Sequence, residues 1–315
     1  MKRRRLRGLE LTELGFGAAS LGNLFRAISD DEAAATVAAA WDSGVRYFDS
    51  APHYGLGLSE RRLGLALAQR PRAEFVVSTK VGRMLDPNPA PTGSDLPLNG
   101  FDVPDDFVRR FDFSRDAVLR SLDDSLSRLG LDRVDIVLIH DPSGDQLDVA
   151  IAEAVPALVA LREEGVIGAV GVGTIDVSDP LRMVRESDLD VVMLAGRWTL
   201  LDRTGGPLLD ECAERGVGVV VAAPYNSGIL AQDRPAADAL FEYGVADPDV
   251  LARAVELAAL CERHGVRLPE AALQFPLRHP AVVSVVAGVG SAEQARSSVE
   301  RYQARIPEQL WSDLA

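Results

Sequence analysis

Four polar residues that can hold or move protons follow short apolar runs: Asp49, Tyr54, Lys80 and His140. A tyrosine hydroxyl titrates near 10, so a proton-shuttling role near neutral pH requires its pKa to fall by roughly three units. The ammonium of Lys80 beside Tyr54 would lower that pKa, and Asp49 would keep Lys80 charged and oriented. His140 would donate a hydrogen bond to a substrate oxygen. We therefore expect proton transfer coupled to a second event at a C–O bond.

Lys80 is unusual because the chain uses arginine almost everywhere else. Lysine and arginine together number 33, and the lysines among them are Lys2 and Lys80. Lysine is a compact charge with an adjustable pKa, whereas arginine stays protonated. A lysine of lowered pKa at a strand end would equally suit a Schiff-base lyase or aldolase with Lys80 as the nucleophile. These residues alone leave that alternative open.

Each of the four residues also has a purely structural explanation. Asp49 could cap a turn, Tyr54 could be a half-buried aromatic with a satisfied hydroxyl, and His140 could be a hydrogen-bonded core residue. Lys80 could extend its stem along apolar surface to reach water. Their places at the ends of three neighbouring predicted strands favour one shared site, because such ends converge at one mouth of a barrel.

The elements that would position these residues alternate along the chain. Short β-branched apolar runs alternate with helical patterns eight times, which predicts a (β/α)8 TIM barrel preceded by a short hairpin at residues 4–12. Continuous apolar strands are typical of a parallel sheet buried on both faces. We interpret residues 1–315 as a single domain. The predicted strands span residues 14–17, 47–48, 75–79, 136–139, 168–171, 191–194, 217–221 and 282–286, and the predicted helices span residues 31–42, 59–68, 115–129, 147–163, 180–186, 207–215, 249–264 and 292–302.

Two long segments interrupt this rhythm of short loops. Residues 82–113 follow the third predicted strand and residues 225–247 follow the seventh, and both are rich in Pro, Gly, Asp and Asn. Barrel enzymes build their substrate loops at this end of the strands, so we interpret both segments as candidate lids. The alternative is a disordered surface insertion in either place.

A glycine pattern near the start of the chain, Gly15, Gly17 and Gly22, resembles the phosphate-binding turn of dinucleotide-binding sheets. Asp49, an acid at the end of the next strand, adds to the likeness. In that motif the glycine turn opens a helix directly, whereas here the helix begins about a dozen residues after Gly17. The strand count also favours a closed barrel, so we reject the open-sheet interpretation.

Composition limits the partners. The net charge of −14 would repel nucleic acid, and no apolar run approaches the roughly 18 residues that a membrane span needs. The basic residues 2–5 precede no apolar export segment. Cys212 and Cys261 have no metal-ligand spacing around them, which is typical of buried thiols in a reducing compartment. We expect a soluble cytoplasmic protein that acts on a small molecule without a metal, and its oligomeric state stays open.

Several segments together resemble the aldo-keto reductase family. The run WDSGVRYFDSAPHYG at residues 41–55 is similar to the family signature around its catalytic Asp and Tyr. Further matches are STK at 78–80, SLDDSLSRLG at 121–130, VDI at 134–136, IHD at 139–141 and GVG at 288–290. The likeness covers the whole chain. It implies a barrel oxidoreductase with a tetrad of Asp49, Tyr54, Lys80 and His140, in which Tyr54 is the general acid and base and an NAD(P) nicotinamide is the hydride partner.

The resemblance also suggests where the cofactor lies. Gly288, Val289 and Gly290 lead into Ser291 and Gln294, a capping-box pattern whose bare amides could bind a phosphate, although an ordinary strand-to-helix turn would look the same. NADP-specific relatives carry Lys or Arg here, whereas residues 288–294 contain no base and include Glu293, which favours NAD over NADP. In place of the family's nicotinamide anchors the chain has other residues, and we expect Thr174 and Arg197 to replace them while Tyr225 stacks on the nicotinamide ring.

The predicted substrate is a small polar hydroxyl or carbonyl compound. The runs LAGRWTLL at 194–201 and APYNSGIL at 223–230 resemble the branch of the family that oxidises free aldoses at C1, which includes fucose and threo-aldose dehydrogenases and a pyridoxal dehydrogenase. Trp41, His53 and His140 are the candidate substrate residues, although indole and imidazole are as often packing groups. Besides the lyase, a third possibility is a barrel that retains the cofactor site as a sensor or partner-binding module without turnover.

Overall fold

The computed structural model describes residues 1–242 and 244–314, and within them eight parallel strands close into a barrel. The predicted (β/α)8 fold is therefore confirmed. Tyr243, inside the predicted loop 225–247, and Ala315, the end of the predicted domain, lie outside the described residues. The strands are β1 (Arg3–Leu6), β2 (Leu9–Thr12), β3 (Leu14–Gly17), β4 (Tyr47–Asp49), β5 (Val76–Val81), β6 (Arg83–Pro87), β7 (Phe107–Phe111), β8 (Ile136–His140), β9 (Ala169–Thr174), β10 (Val191–Ala195), β11 (Gly218–Ala222), β12 (Leu240–Phe241), β13 (Gly244–Val245) and β14 (Val282–Gly288).

Around the barrel, in the order β3, β4, β5, β8, β9, β10, β11 and β14, each strand pairs in parallel with the next, and β14 pairs with β3. Helices follow the barrel strands and cover their outer face. The helices are α1 (Asp30–Asp42), α2 (Leu58–Leu67), α3 (Leu96–Asn99), α4 (Arg115–Leu129), α5 (Asp145–Val149), α6 (Val155–Glu163), α7 (Ser178–Glu186), α8 (Gly206–Arg215), α9 (Pro248–Arg263), α10 (Leu268–Gln274), α11 (Ala292–Gln303) and α12 (Glu308–Leu314).

Alternate residues of each barrel strand point inward and outward. The inward side chains form one apolar cluster that includes Tyr47, Leu138, Met193 and Val220. The outward side chains pack with the helices in a second, larger cluster. The interior of the barrel is thus filled, and polar side chains can gather at its ends.

The hairpin β1–β2 closes the end of the barrel where the strands begin. Its Leu6 and Leu11 are buried in the inner cluster. Arg4 fastens the hairpin, because its guanidinium donates to the carbonyls of Leu277 and Val282 at 3.1 and 2.6 Å and to the Glu13 carboxylate at 2.7 Å. A site for small molecules can therefore open at the opposite end.

The segment 82–113 is folded rather than disordered. Strands β6 and β7 pair in antiparallel register, with Met84 opposite Arg110. The Asp105 carboxylate accepts hydrogen bonds from the Thr92 amide and hydroxyl and from the Gly93 amide, at 2.7 to 2.8 Å. A bridge between Leu24 and Phe101 joins the segment to the loop that follows β3. We call residues 82–113 the hairpin wall, because they stand beside the mouth of the barrel.

Some helices differ from the prediction. The helix expected at residues 147–163 contains a wider π-helical turn at Ala150–Ala154 between α5 and α6. Helices α10 and α12 were not predicted, since seven residues give too few turns for a periodic apolar pattern. In the described part of the chain no helix has the length and apolar character needed to cross a membrane.

The early glycines are explained by packing. A Cβ on Gly15 would lie 2.8 Å from the Tyr47 ring, and one on Gly17 would lie 3.1 Å from the Ala287 carbonyl oxygen. Both glycines let neighbouring barrel strands and their side chains approach closely. They form no phosphate turn, which agrees with the rejection of the open-sheet interpretation.

Candidate active site

Strand register brings three of the four predicted catalytic residues together. Asp49 lies opposite Ser78, and two residues further along β5 is Lys80, which lies opposite Leu138. Two residues beyond Leu138, strand β8 ends at His140. Because residues two apart on a strand share a face, Asp49, Lys80 and His140 all project toward the barrel axis at its carboxyl end. Their relative exposures are 3, 2 and 7%.

Lys80 is the centre of the site. Its Nζ donates to Asp49 Oδ2 at 2.7 Å, to the Ser50 carbonyl at 2.9 Å and to the Tyr54 hydroxyl at 3.2 Å. These contacts use the three hydrogens of an ammonium group. Tyr54, on the turn after β4, therefore meets Lys80 at the same mouth, and the structure brings the predicted tetrad together.

The ionisation of Lys80 follows from these contacts. Burial lowers its pKa, but the charges of Asp49 and Tyr54 and the hydrogen bonds to both raise it, and the net pKa is raised. The lysine is therefore a charged ammonium, not the neutral amine that a Schiff base requires. This opposes the lyase alternative.

The pKa of Tyr54 departs from the sequence prediction. Lys80 lowers it as expected, but burial is the larger cause, and the net pKa of Tyr54 is raised above its ordinary value. The expected acidification was thus wrong in sign for this arrangement. Near neutral pH Tyr54 is a phenol, ready to donate a proton, and the ammonium of Lys80 stabilises the phenolate that donation produces.

Two imidazoles complete the mouth. The ring centroid of His140 lies 6.2 Å from that of Tyr54 and 5.7 Å from that of His53. Burial, followed by the positive charge of Arg83, places the pKa of His140 well below its ordinary value and that of His53 at about 2. Both rings are neutral, so His140 can offer an N–H to a substrate oxygen without adding a charge. His140 Nδ1 is buried without a hydrogen-bond partner, as a group awaiting a ligand would be.

A chain of hydroxyl groups holds the Asp49 carboxylate. Ser78 Oγ donates to Asp49 Oδ1 at 2.7 Å, and the Tyr47 hydroxyl lies 3.0 Å from Ser78 Oγ. One carboxylate oxygen thus faces Ser78 while the other faces Lys80. Sequence reasoning missed Ser78, although it lies two residues before Lys80 on the same face.

The turn that carries Tyr54 rests on a close backbone contact. A Cβ on Gly22 would lie 2.6 Å from the Tyr54 carbonyl carbon, and Gly55, with φ of 60°, faces Gly22 from the other side. The hairpin wall adds a second support, because Arg109 donates to the His53 carbonyl at 2.8 Å while pairing with Asp95 at 2.7 Å. The position of Tyr54 is therefore fixed from two directions.

Trp41 does not belong to this mouth. It lies on α1, its ring packs edge-on against Phe75 with centroids 6.0 Å apart, and the Arg46 guanidinium stands 3.8 Å above it. Arg46 and Phe75 directly precede β4 and β5, so Trp41 lies at the end of the barrel where the strands begin. Its predicted role in substrate binding was wrong. Trp41 lies near the end of helix α1 and not at the carboxyl end of a barrel strand, so its side chain does not point into the mouth.

The glycine turn after β14 lies at the same end of the barrel as the tetrad. Ser291 Oγ caps α11 by accepting a hydrogen bond from the backbone N–H of Gln294 at 3.1 Å. The side-chain oxygen Oε1 of Gln294 in turn accepts from the backbone N–H of Gly290 at 2.8 Å. The Gly290 amide is therefore engaged, contrary to the expectation of bare amides. Gly288 is exposed, with open space where a Cβ would stand, and Val289 is buried beneath the turn.

The other predicted cofactor residues follow β9, β10 and β11. Thr174 ends β9, and its hydroxyl accepts from the Asp176 amide at 2.9 Å. Arg197 pairs with Asp202 at 3.1 Å and with Glu242, and so joins the loop after β10 to the loop after β11. Tyr225 follows β11 and is partly exposed, although its hydroxyl is buried. All three lie on the rim, in the half of the barrel across from Asp49.

The residues present fit a nicotinamide dinucleotide. The rim from β9 to β14 offers a partly exposed tyrosine, open space at Gly288 and the amino end of a twelve-residue helix, which together suit an aromatic ring and a phosphate. Asn226 Oδ1 is buried beside Tyr225 without a partner, as an acceptor for a ligand amide would be. Among the described residues no cluster suits a metal ion.

The comparisons with known proteins identify the family. The model of the aldo/keto reductase family matches residues 13–315. A D-threo-aldose 1-dehydrogenase from Pseudomonas sp is 51% identical over 98% of this chain and 94% of its own length. A pyridoxal 4-dehydrogenase from Microbacterium luteolum is 39% identical over the same shares. The holo form of an aldo-keto reductase from Bacillus halodurans superposes with a TM-score of 0.78 at 28% identity, covering 100% of this chain and 96% of that one.

The closed parallel barrel with ionisable residues at its carboxyl end is thus that of an NAD(P)-dependent oxidoreductase. This chain belongs to the aldo/keto reductase family.

Proposed function

We propose that the protein oxidises an aldose at C1, reversibly, with Tyr54 as general acid and base. The observation that carries the proposal is the buried ammonium of Lys80, which lies 3.2 Å from the Tyr54 hydroxyl and 2.7 Å from Asp49 at the mouth of the barrel. Support for the substrate class comes from the 51% identical relative, which is described as a D-threo-aldose 1-dehydrogenase.

In oxidation the bound nicotinamide supplies the hydride acceptor. The Tyr54 oxygen would take the proton of the C1 hydroxyl that the cyclic hemiacetal form of the aldose carries. As C1 gives up its hydride, the C1–O bond gains double-bond character and the lactone forms. Lys80 stabilises the phenolate that precedes this transfer, and Asp49 keeps Lys80 oriented. Neutral His140 donates to the same substrate oxygen and fixes its direction. In reduction Tyr54 returns the proton.

For the cofactor we propose NAD rather than NADP. Residues 288–294 carry no basic side chain, and Glu293 lies in the first turn of α11. A carboxylate there would repel the additional phosphate of NADP. Gly288 and Val289 would hold the phosphate side together with the side-chain nitrogen of Gln294, whose oxygen engages the Gly290 amide. Tyr225 would lie against the ring, and Thr174 and Arg197 near the carboxamide.

The decisive assay follows reduced-nucleotide absorbance with NAD and NADP separately against a panel of aldoses, and with NADH and NADPH separately against simple aldehydes and ketones. We expect sugar-dependent reduction of NAD. If no aldose but only simple aldehydes and ketones react, the substrate proposal fails, and tight nucleotide binding without any turnover would instead favour a sensor or partner-binding module. Borohydride treatment with sugar and without nucleotide tests the lyase, because a mass increase at Lys80 would support it.

A further inference from the structure

We propose that Arg83 and Asp141 form a fork that binds two neighbouring hydroxyl groups of the substrate, next to the reacting carbon. This inference rests on the proposed function, since an aldose carries such hydroxyls. Sequence analysis assigned neither residue a role. Both side chains are partly exposed at the mouth, at 18 and 24%, so that a substrate can reach them.

The pair lies directly beside the catalytic groups. Arg83 Nη2 donates to Asp141 Oδ2, and the same carboxylate oxygen is 3.6 Å from His140 Nε2. Arg83 Nη1 is 3.5 Å from His53 Nδ1. A substrate oxygen held by Tyr54 and His140 would therefore leave the following carbons of the sugar next to Arg83 and Asp141.

The donors and acceptors of this pair match a diol. A guanidinium has five N–H donors, and a carboxylate has several acceptor positions, so one contact between Arg83 and Asp141 leaves both groups with capacity for ligands. Each sugar hydroxyl donates once and accepts as well. One hydroxyl can donate to Asp141 while its neighbour accepts from Arg83, whereas an unsubstituted carbon chain can do neither.

Further features indicate a binding role rather than a purely structural one. Arg83 Nε is buried without a hydrogen-bond partner, and the Arg83 guanidinium stands 5.0 Å from the centre of the Phe111 ring, which is 48% exposed. An aromatic face beside a polar fork suits the C–H face and the hydroxyls of a sugar.

The experiment compares matched substrates. Wild type, Arg83→Met, Arg83→Lys and Asp141→Asn are assayed with glyceraldehyde and propanal in reduction, and with an aldose and its 2-deoxy analogue in oxidation. We expect wild type to prefer the hydroxylated member of a pair. Arg83→Met and Asp141→Asn should raise the KM for the hydroxylated substrate at least about tenfold. The KM for the substrate that lacks the hydroxyl should change less than about twofold. Arg83→Lys should retain part of the preference.

Arg185→Leu serves as the control, because it breaks an ion pair with Glu211 between the outer helices α7 and α8 and should change neither KM. If the Arg83 and Asp141 variants raise the KM equally for the hydroxylated and the unhydroxylated substrate, the inference is overturned, and Arg83 and Asp141 are a structural ion pair. A wild type that shows no preference, or no turnover, in either pair would also overturn it. If the preference appears with glyceraldehyde while aldoses are not oxidised at C1, the fork stands and the proposed function fails.

Discussion

Gly22 and Tyr54 touch through their backbones: a Cβ on Gly22 would stand 2.6 Å from the Tyr54 carbonyl carbon and 2.7 Å from its oxygen. Backbone atoms cannot rotate away as a side chain can. Any residue larger than glycine at position 22 must therefore displace the turn that carries the proposed acid and base.

Gly22→Ala should consequently reduce both turnover and stability. A displacement of the Tyr54 turn by about 1 Å should lower kcat on the order of 10²-fold. Overpacking should cost about 1–3 kcal/mol of unfolding free energy. Gly8→Ala is the matched control, because nothing lies within 4 Å of the added carbon. Normal turnover in Gly22→Ala would mean that the contact does not position Tyr54.

Tyr54→Phe removes the hydroxyl alone. We expect kcat to fall by about 10²–10⁴-fold, the usual contribution of a general acid or base. Nucleotide affinity, measured by fluorescence titration, should stay within about twofold, because none of the residues proposed to hold the nucleotide bonds to the Tyr54 hydroxyl, whose hydrogen-bond partner is Lys80. Retained turnover would remove Tyr54 from the mechanism.

The pH dependence of kcat/KM should differ between oxidation and reduction. Because the pKa of Tyr54 is raised, mainly by burial, the phenolate needed for oxidation is a minor species at neutral pH. The kcat/KM for oxidation should therefore rise about tenfold per pH unit between about pH 7 and 9, while that for reduction stays level. A plateau in the oxidation profile near pH 7 would instead mean a strongly acidified phenol.

Lys80 and Asp49 should be coupled in stability. Lys80→Met leaves a buried carboxylate without its partner and should cost about 3–5 kcal/mol of unfolding free energy. Adding Asp49→Asn removes that charge, so the double variant should be more stable than Lys80→Met alone. Urea unfolding of wild type, Lys80→Met, Asp49→Asn and the double variant measures the four unfolding free energies. Additive losses would show that the two groups do not interact.

Acid should destabilise the fold through His53 and His140. Both have lowered pKa values when folded, about 2 for His53, whereas the unfolded chain binds these protons near pH 6.5. The contribution of the two histidines to the unfolding free energy is therefore complete above about pH 6.5. Below that pH, each histidine should lower the unfolding free energy by about 1.4 kcal/mol for every pH unit. The raised pKa of Asp141 acts in the opposite sense. In unfolding measurements His53→Asn should remove one histidine's share of the slope, and an unchanged slope would contradict this account.

Much of the fold could be predicted because each barrel strand is a short apolar run. In three of the strands a polar residue stands at or near the carboxyl end of the run, and this identified Asp49, Lys80 and His140 together. Gly22 was noticed for the wrong reason, since a sequence records that a residue is small but not what approaches it.

The remaining errors have related causes. The sign of the Tyr54 pKa shift depends on how deeply the hydroxyl is buried as well as on its contact with Lys80. The sequence does not show the extent of that burial. Arg83 and Asp141 went unassigned because they lie just beyond the ends of β5 and β8, where the alternation of a barrel strand no longer indicates which way a side chain points. Trp41 was misplaced because its position on α1, rather than at a strand end, puts it at the other end of the barrel.

The scarcity of lysine has a practical consequence. Lys80 is 2% exposed, whereas Lys2 lies on the outside of the chain next to the hairpin that closes the far end of the barrel. Amine-directed chemistry applied to the folded protein would therefore leave Lys80 untouched and react at Lys2 and at the amino group of the adjacent Met1. Molecules tethered to a surface through either group would all present their open end to the solution.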